Sequence, residues 1–375
     1  MRIVVDYRPA LRARTGVGEY IRQLVAAYTA AHRDDVAVFT SSWKDRPSAT
    51  TAAELRVRVI DRRVPVTLLN LLWHRLEWPP IESLASDADV VHAAHPLLIP
   101  TRHAAQVVTI HDLFFLDHPE RTHAEIKRDY AALVARHARR ADAVITSSRH
   151  TRNLIHERLG VELDRIYCCP PGAPTWTRLG SAPNVPHDGY ILFVGTLEPR
   201  KNVGFLLDAF ERLIARGPRP NGSTPRLRIA GGASIDARDW IDRMSRSPLA
   251  SHVDYLGYIQ HEDRERLFAG ARALVLPSLD EGFGLPVLEA MSAGVPVIAS
   301  NRGSLPEIVG DGGTVLEPND REAWVAAIER LIDDDRWAAQ QGCAGLERAK
   351  AFTWPATVAR LREAYADAVA RRGAR

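Results

Sequence analysis

Two glutamates, Glu281 and Glu289, bracket the run Glu-Gly-Phe-Gly-Leu-Pro-Val-Leu-Glu. Pro286 suits the first helical position, so the run reads as a glycine-containing loop that opens a helix. The N–H groups of Gly284 and Leu285 are then free to meet an anion, and both carboxylates flank that helix start. Ionised acids so placed accept hydrogen bonds from sugar hydroxyls. Acids near a helix N-terminus can also simply complement its dipole. That explanation suits Glu289 poorly, because it stands beside the apolar Val287, Leu288, Ala290 and Met291.

Three other loops have chemical potential. In Gly195-Thr196-Leu197-Glu198-Pro199-Arg200-Lys201-Asn202, two cations stand where a helix should begin, and the helix dipole disfavours them unless an anion joins them. Lys201 stands out further because the chain has only 4 lysines against 45 arginines. A bound diphosphate would resolve the conflict; otherwise the pair is a solvated loop end. Gly16-Val17-Gly18 could let a backbone approach a phosphate, but Ile21 occupies the third glycine position of the dinucleotide fingerprint. His111-Asp112 directly follows the apolar run Val107-Val108-Thr109-Ile110 and is a candidate for substrate contact. Histidines crowd that half (His92, His95, His103, His111, His118, His123) without cysteine partners or clear helical spacing, so no metal site is expected. Asp87-Ala88-Asp89 precedes a strand and Asp333-Asp334-Asp335 follows a helix, positions of solvated turns.

These loops need strands to carry them. Short β-branched runs recur at Ile3–Val5, Val36–Phe39, Val57–Ile60, Val90–His92, Val107–Ile110 and Ala143–Thr146. Helical periodicity lies between them at Tyr20–Tyr28, Ala124–Arg140 and Ser148–Leu159. A second series holds strands at Tyr190–Val194, Leu227–Ala230, Val253–Leu256, Ala273–Leu276 and Val295–Ala299, and helices near Val203–Arg216, Glu262–Ala269 and Pro286–Ala293. Alternating β and α elements predict an α/β chain of two doubly wound, Rossmann-like domains. Between Pro170 and Pro186 the composition turns to Pro, Gly, Ser, Thr and Asn, which marks a linker, and Gly217–Pro225 reads as a surface loop. The expected domains are 1–172 and 173–354, with a last amphipathic helix over 355–375 packing back on the first.

At 375 residues, two domains can each bury a core. A net charge of +3 gives no reason to expect a nucleic-acid partner. Three cysteines are too few for a disulfide framework and suit a reducing cytosol. Residues 1–20 carry Asp6 and four arginines, and no window of the chain is long and apolar enough to span a membrane, so a cytoplasmic protein is expected.

The run Glu281–Glu289 has the form E-x7-E. With the loop Gly195–Asn202 and the first-loop glycines it resembles the retaining glycosyltransferases of family four, over nearly the whole chain and in the family's order. The resemblance implies the GT-B fold, two Rossmann-like domains facing across a cleft, with the acceptor on the N-terminal domain and a nucleotide sugar on the C-terminal one. It implies that Glu281 meets the donor sugar and Glu289 the ribose. The segment Gly282, Phe283, Gly284 and Leu285 would hold sugar and diphosphate. Arg200 and Lys201 would neutralise the leaving group, with Gly16 and Gly18 approaching it. His111 would lie near the reacting centre with Asp112 beside the acceptor, and the base would lie near Tyr258 and Ile259, with His261 a further candidate. Thr196 departs from the pattern: many members carry Arg there, leaving Arg200 to compensate.

The implied activity is transfer of a hexose, mannose from GDP-mannose by preference, to a saccharide or lipid-linked acceptor, with retention and without metal or other cofactor. A sugar-nucleotide epimerase of the same shape and a non-catalytic sugar-nucleotide-binding protein are the alternatives. Helix 124–140 carries Lys127, Arg128, Arg136, Arg139 and Arg140 against Ile126, Tyr130, Leu133 and Val134. Such a helix docks to an anionic bilayer or is a solvated helix face.

Overall fold

The computed structural model describes residues 1–374 except 12–15, 42–44, 49, 86, 120–123, 177–181, 184 and 218–223. The chain forms two units, Met1–Gly172 with Thr353–Arg375, and Ala173–Phe352. Parts of the Pro170–Pro186 linker and of the 217–225 loop lie outside the described residues.

The first unit holds strands β1 (Arg2–Asp6), β2 (Asp35–Ser41), β3 (Arg58–Arg62), β4 (Val90–Ala93), β5 (Ala105–Thr109), β6 (Ala143–Thr146) and β7 (Ile166–Cys168). They make one parallel sheet in the order β3-β2-β1-β4-β5-β6-β7. Successive side chains of a strand point to opposite faces, and Ile3-Val4-Val5 divides accordingly. Ile3 and Val5 join the core under the Gly16–Ala31 helix and the Trp354–Gly373 helix, whereas Val4 joins a separate core with Phe39, Trp73, Val108 and Val134. A sheet buried on both faces explains why its strands read as continuous apolar runs.

The second unit holds β8 (Tyr190–Val194), β9 (Leu227–Ala230), β10 (Val253–Gly257), β11 (Ala271–Leu276), β12 (Val297–Ser300) and β13 (Thr314–Leu316). They are ordered β10-β9-β8-β11-β12-β13, again all parallel. Expected strands and helices recur within a residue or two, except that the first expected helix, Tyr20–Tyr28, extends over Gly16–Ala31. The main additions are the edge strands β7 and β13, only three residues each, and the helices Arg321–Asp333 and Asp335–Ala349. Those two helices start at Asp320 and Asp334, whose carboxylates accept from Ala323 N–H and Trp337 N–H. These are ordinary N-caps. So Asp334 is a capping residue, and Asp335 pairs with Arg272 and His187.

Candidate active site

In each sheet the strand order reverses once, beside β1 and β4 in the first and beside β8 and β11 in the second. Loops leaving neighbouring strands in opposite directions open a crevice there, at the carboxyl end of the sheet. In the second unit those loops are the ones after β8 and β11, which hold Arg200–Lys201 and Glu281.

Topology therefore brings them together. Leu279 N–H donates to the Arg200 carbonyl at 2.7 Å, tying the two loops backbone to backbone. Lys201 ends a short 3-10 turn, Pro199–Lys201, before left-handed Asn202 opens the Val203–Ala215 helix. It is 7% exposed, and its Nζ donates to Glu281 Oε1 at 2.5 Å. Ser278 Oγ donates to the same oxygen at 2.8 Å. Arg200 Nη1 lies 3.9 Å from Glu281 Oε2, while its Nε donates to Glu198 at 2.6 Å. The Glu281 carbonyl accepts from both the N–H and the Oγ of Ser304, each at 3.0 Å. Gly303, at φ +59°, allows this approach, since a Cβ there would sit 2.5 Å from the Glu281 backbone N and O.

Glu281 is thus a buried carboxylate fixed at both ends. Burial alone would raise its pKa, but Lys201, Arg200 and Ser278 together bring it below its ordinary value. The expected conflict of two cations at a loop end is resolved by this carboxylate. Lys201 is not a solvated charge.

Beside the pair, Gly284 caps the Leu285–Ser292 helix at φ +93°, a conformation suited to glycine. No described residue accepts from the N–H groups of Phe283 or Gly284. Glu289 is the fifth residue of this helix and stands in its second turn. Its Oε2 accepts from Arg264 Nη2 at 2.5 Å, a partner that nothing in the linear pattern indicates. Gly282 belongs to the same loop, and Thr196 is exposed on the neighbouring one. Tyr258 is exposed, Ile259 packs partly against the core, and the His261 side chain lies outside the described residues.

In the first unit His111 follows β5. Its Nε2 is buried with no hydrogen-bond partner, and the Tyr20 ring meets it edge-on at 5.3 Å. Burial pushes its pKa down to about 4, against a smaller upward pull from Asp112, so the ring is neutral at physiological pH. Asp112 accepts from Phe114 N–H at 3.3 Å. Gly16 is exposed at the start of the Gly16–Ala31 helix, whereas Gly18 is buried within its first turn, so the loop expected there is shorter than its glycines suggest. Thr15 lies outside the described residues.

A further polar cluster occupies the reversal point of the first sheet. Asp6, at the end of β1, accepts from Arg8 Nε and Nη2, both at 2.8 Å, and lies 3.2 Å from His95 Nε2 beyond β4. Arg8 also donates to Asn70 at 2.8 Å and stacks over Trp73. Nothing in the linear pattern marks Asp6 and Arg8 as a site, since two opposite charges separated by one residue are commonplace in a chain. Asp87 and Asp89 pair with Arg2 at the opposite, amino end of the sheet. Among the described residues, no three His, Cys, Asp or Glu side chains gather as metal ligands.

Comparison with known proteins places these features in context. Residues 14–176 match the family described as Glycosyltransferase Family 4, and residues 188–334 match Glycosyl transferases group 1. The O-antigen chain mannosyltransferase B of Escherichia coli is 30% identical over 97% of this chain and 99% of its own length. The D-inositol 3-phosphate glycosyltransferase of Corynebacterium diphtheriae is 32% identical over 48% of this chain, which spans 43% of that protein. Among solved structures, the sucrose-phosphate synthase of Thermosynechococcus elongatus superposes with a TM-score of 0.73 at 22% identity over 97% of both chains. WaaG, a glycosyltransferase involved in lipopolysaccharide biosynthesis, gives 0.70 at 16% identity over 97% of this chain and 98% of its own.

Proposed function

This chain belongs to glycosyltransferase family 4 and has the GT-B fold, and from that premise we propose that it transfers a hexose from a nucleotide sugar with retention at the anomeric carbon. The proposed donor is GDP-mannose and the acceptor a saccharide or lipid-linked saccharide of a growing surface polysaccharide or glycolipid, which the Escherichia coli mannosyltransferase relative supports. The proposed setting is the cytoplasm, at or near the inner face of the membrane. In this reading residues 173–354 hold the donor and residues 1–172, with the helix over 355–375, hold the acceptor.

The observation that carries the proposal is the Lys201–Glu281 pair, buried at the strand-order reversal of the second sheet beside open N–H donors. When the bond from the anomeric carbon to the diphosphate breaks, negative charge grows on the departing oxygen and positive charge on the sugar. Lys201, Arg200 and the N–H groups of Phe283 and Gly284 are fixed donors for the first charge, and the Glu281 carboxylate is a fixed acceptor for sugar hydroxyls. Donors set in place before reaction lower the barrier because nothing has to reorganise. The acceptor oxygen then bonds the anomeric carbon on the face that the diphosphate leaves, and its proton passes to the departing phosphate oxygen. Glu289 receives the ribose hydroxyls, and neutral His111 contacts the sugar. No metal ion has a part in this scheme.

A panel of nucleotide sugars tests the proposal. A ligand that binds only the folded chain raises its melting temperature by mass action, so GDP-mannose is expected to give the largest rise. Incubation of that donor alone should then release free mannose slowly. Rapid isomerisation of the donor would identify an epimerase instead, and no turnover with any acceptor would identify a binding protein.

A further inference from the structure

Glu281 is held through one of its two oxygens. Lys201 Nζ and Ser278 Oγ both donate to Oε1, at 2.5 and 2.8 Å. Among the described residues no hydrogen bond reaches Oε2, which Arg200 Nη1 approaches only to 3.9 Å. Lys201 supplies the charge, but an ammonium is a point charge with three rotatable donors on a flexible stem and sets no plane for a carboxylate. A second donor on the same oxygen does. With both bonds in place, the carboxylate cannot turn part-way about its last bond without losing one of them.

Ser278 is itself fastened, and so is the backbone that carries Glu281. Ser300, the last residue of β12, donates its hydroxyl to the Ser278 carbonyl. On the other side, Leu279 N–H donates to the Arg200 carbonyl at 2.7 Å. The Glu281 carbonyl receives both donors of Ser304. Ser304 stands at the N-cap position of the Leu305–Val309 helix, where a serine hydroxyl ordinarily accepts from its own helix. It makes no such bond, and its hydroxyl is turned to Glu281 instead. Ser278, Ser300 and Ser304 are wholly buried. A buried hydroxyl is unfavourable unless it is bonded, so alanine would fill the same space more simply. All three hydroxyls are directed at the stretch 278–281.

We propose that Ser278 is a positioning residue for the transfer: fastened from β12 by Ser300, its hydroxyl sets the plane of the Glu281 carboxylate and so presents Oε2 to the donor sugar. Ser278 acts through Glu281 and not on the sugar. Ser300 and Ser304 serve the same end through the backbone. Groups that meet a ligand are precise only when neighbouring hydrogen bonds lock them. The sugar contact of Glu281 rests on the proposed function, whereas the hold of Ser278 on Glu281 does not.

Kinetics of the full chain test the role, with GDP-mannose as donor and GDP as a ligand that lacks the sugar. Ser278→Ala should lower kcat/KM for GDP-mannose about tenfold while GDP affinity holds within about twofold. Ser278→Thr, which keeps the hydroxyl, should recover most of the loss. In a Glu281→Ala background the same Ser278→Ala step should change GDP-mannose affinity by less than about twofold, because nothing is left to place. Unchanged kcat/KM in Ser278→Ala, equal losses for GDP and GDP-mannose, or a loss that adds in full to that of Glu281→Ala would each overturn the proposal. If the alanine variant does not fold, Ser278→Cys, of nearly the same shape and a weaker donor, carries the same measurements.

The carbon-13 resonance of the Glu281 carboxyl in the ligand-free chain reads the hold itself. Its titration midpoint should rise in Ser278→Ala, since a donor to the charged form is lost. A raised midpoint without GDP-mannose turnover in wild type supports the hold and rejects the donor reading alone. Normal wild-type turnover with an unchanged midpoint rejects the role of Ser278 alone.

Discussion

Lys201 Nζ and Glu281 Oε1 lie 2.5 Å apart although eighty residues separate them in the chain. The pairing follows from topology, since β8 and β11 are neighbours at the one place where the second sheet reverses its order. Both side chains are buried, and Ser278 shares the carboxylate. A charged pair so placed is costly to break from one side only, because the remaining charge has lost its partner.

Lys201→Met should therefore lower the melting temperature of the full chain by several degrees, reflecting a loss of about 3–5 kcal/mol. Lys201→Met combined with Glu281→Leu should recover a large part of it, since an apolar pair of similar volume replaces the ionic one. Differential scanning calorimetry reads both. Equal melting of wild type and the single variant would show that Glu281 is not confined as described.

Arg264 governs the other acid of the motif. Its Nη2 donates to Glu289 Oε2 at 2.5 Å and so fixes the orientation of the carboxylate proposed to meet the ribose. Arg264→Leu is expected to raise the donor KM roughly tenfold while kcat changes by no more than about threefold, the signature of binding lost equally from ground and transition states. A lower KM would mean that Arg264 competes with the ribose instead of placing its acceptor.

Acid should weaken the first unit before the second. Burial pushes His92 down to about 3, and His74, His111 and His137 down to about 4. Each folded value lies below the ordinary 6.5, so the unfolded chain binds more protons below that pH. Their contribution is complete above pH 6.5 and is lost as pH falls towards 4. Glu281, also lowered, contributes above its ordinary value and is lost only at lower pH. Melting temperature should be level from pH 7 to 8 and decline steadily from 6.5 to 5, and a level profile down to pH 5 would contradict this.

Activity should survive chelation. The groups proposed for the leaving diphosphate are Arg200, Lys201 and backbone N–H groups, and the acidic pairs of the sequence have other partners. Asp89 binds Arg2, Asp334 caps a helix, and Asp335 binds Arg272. Product formation in 5 mM EDTA, a conventional excess of chelator, should match that without it. Complete loss, restored by a divalent ion, would reject the metal-free scheme.

Much of this molecule was legible in its residues. Parallel strands buried on both faces announce themselves as β-branched runs, and the loops after them are the places where a doubly wound fold puts its chemistry. Glu281, Arg200 and Lys201 stand on two such loops, so their candidacy follows from the order of the residues alone. What the chain order hides is which loops become neighbours. Strand order decides that Ser278 and Lys201 share one carboxylate oxygen and that Arg264 reaches Glu289, and strand order is a long-range property. The short edge strands Ile166–Cys168 and Thr314–Leu316 have too few residues to show a period. The helix Val66–Leu71 and its π continuation place apolar residues on both their buried and exposed sides, so no amphipathic pattern marked them.

The most direct measurement is the turnover of Arg200→Ala with Lys201→Ala at saturating GDP-mannose. Removing one preorganised donor from a developing anion typically costs about 10²–10³ in kcat, so the double variant should lose at least about 10³-fold. Circular dichroism of the same preparation checks that it remains folded. A folded double variant that turns over at the wild-type rate would contradict the claim that this basic pair stabilises the departing diphosphate.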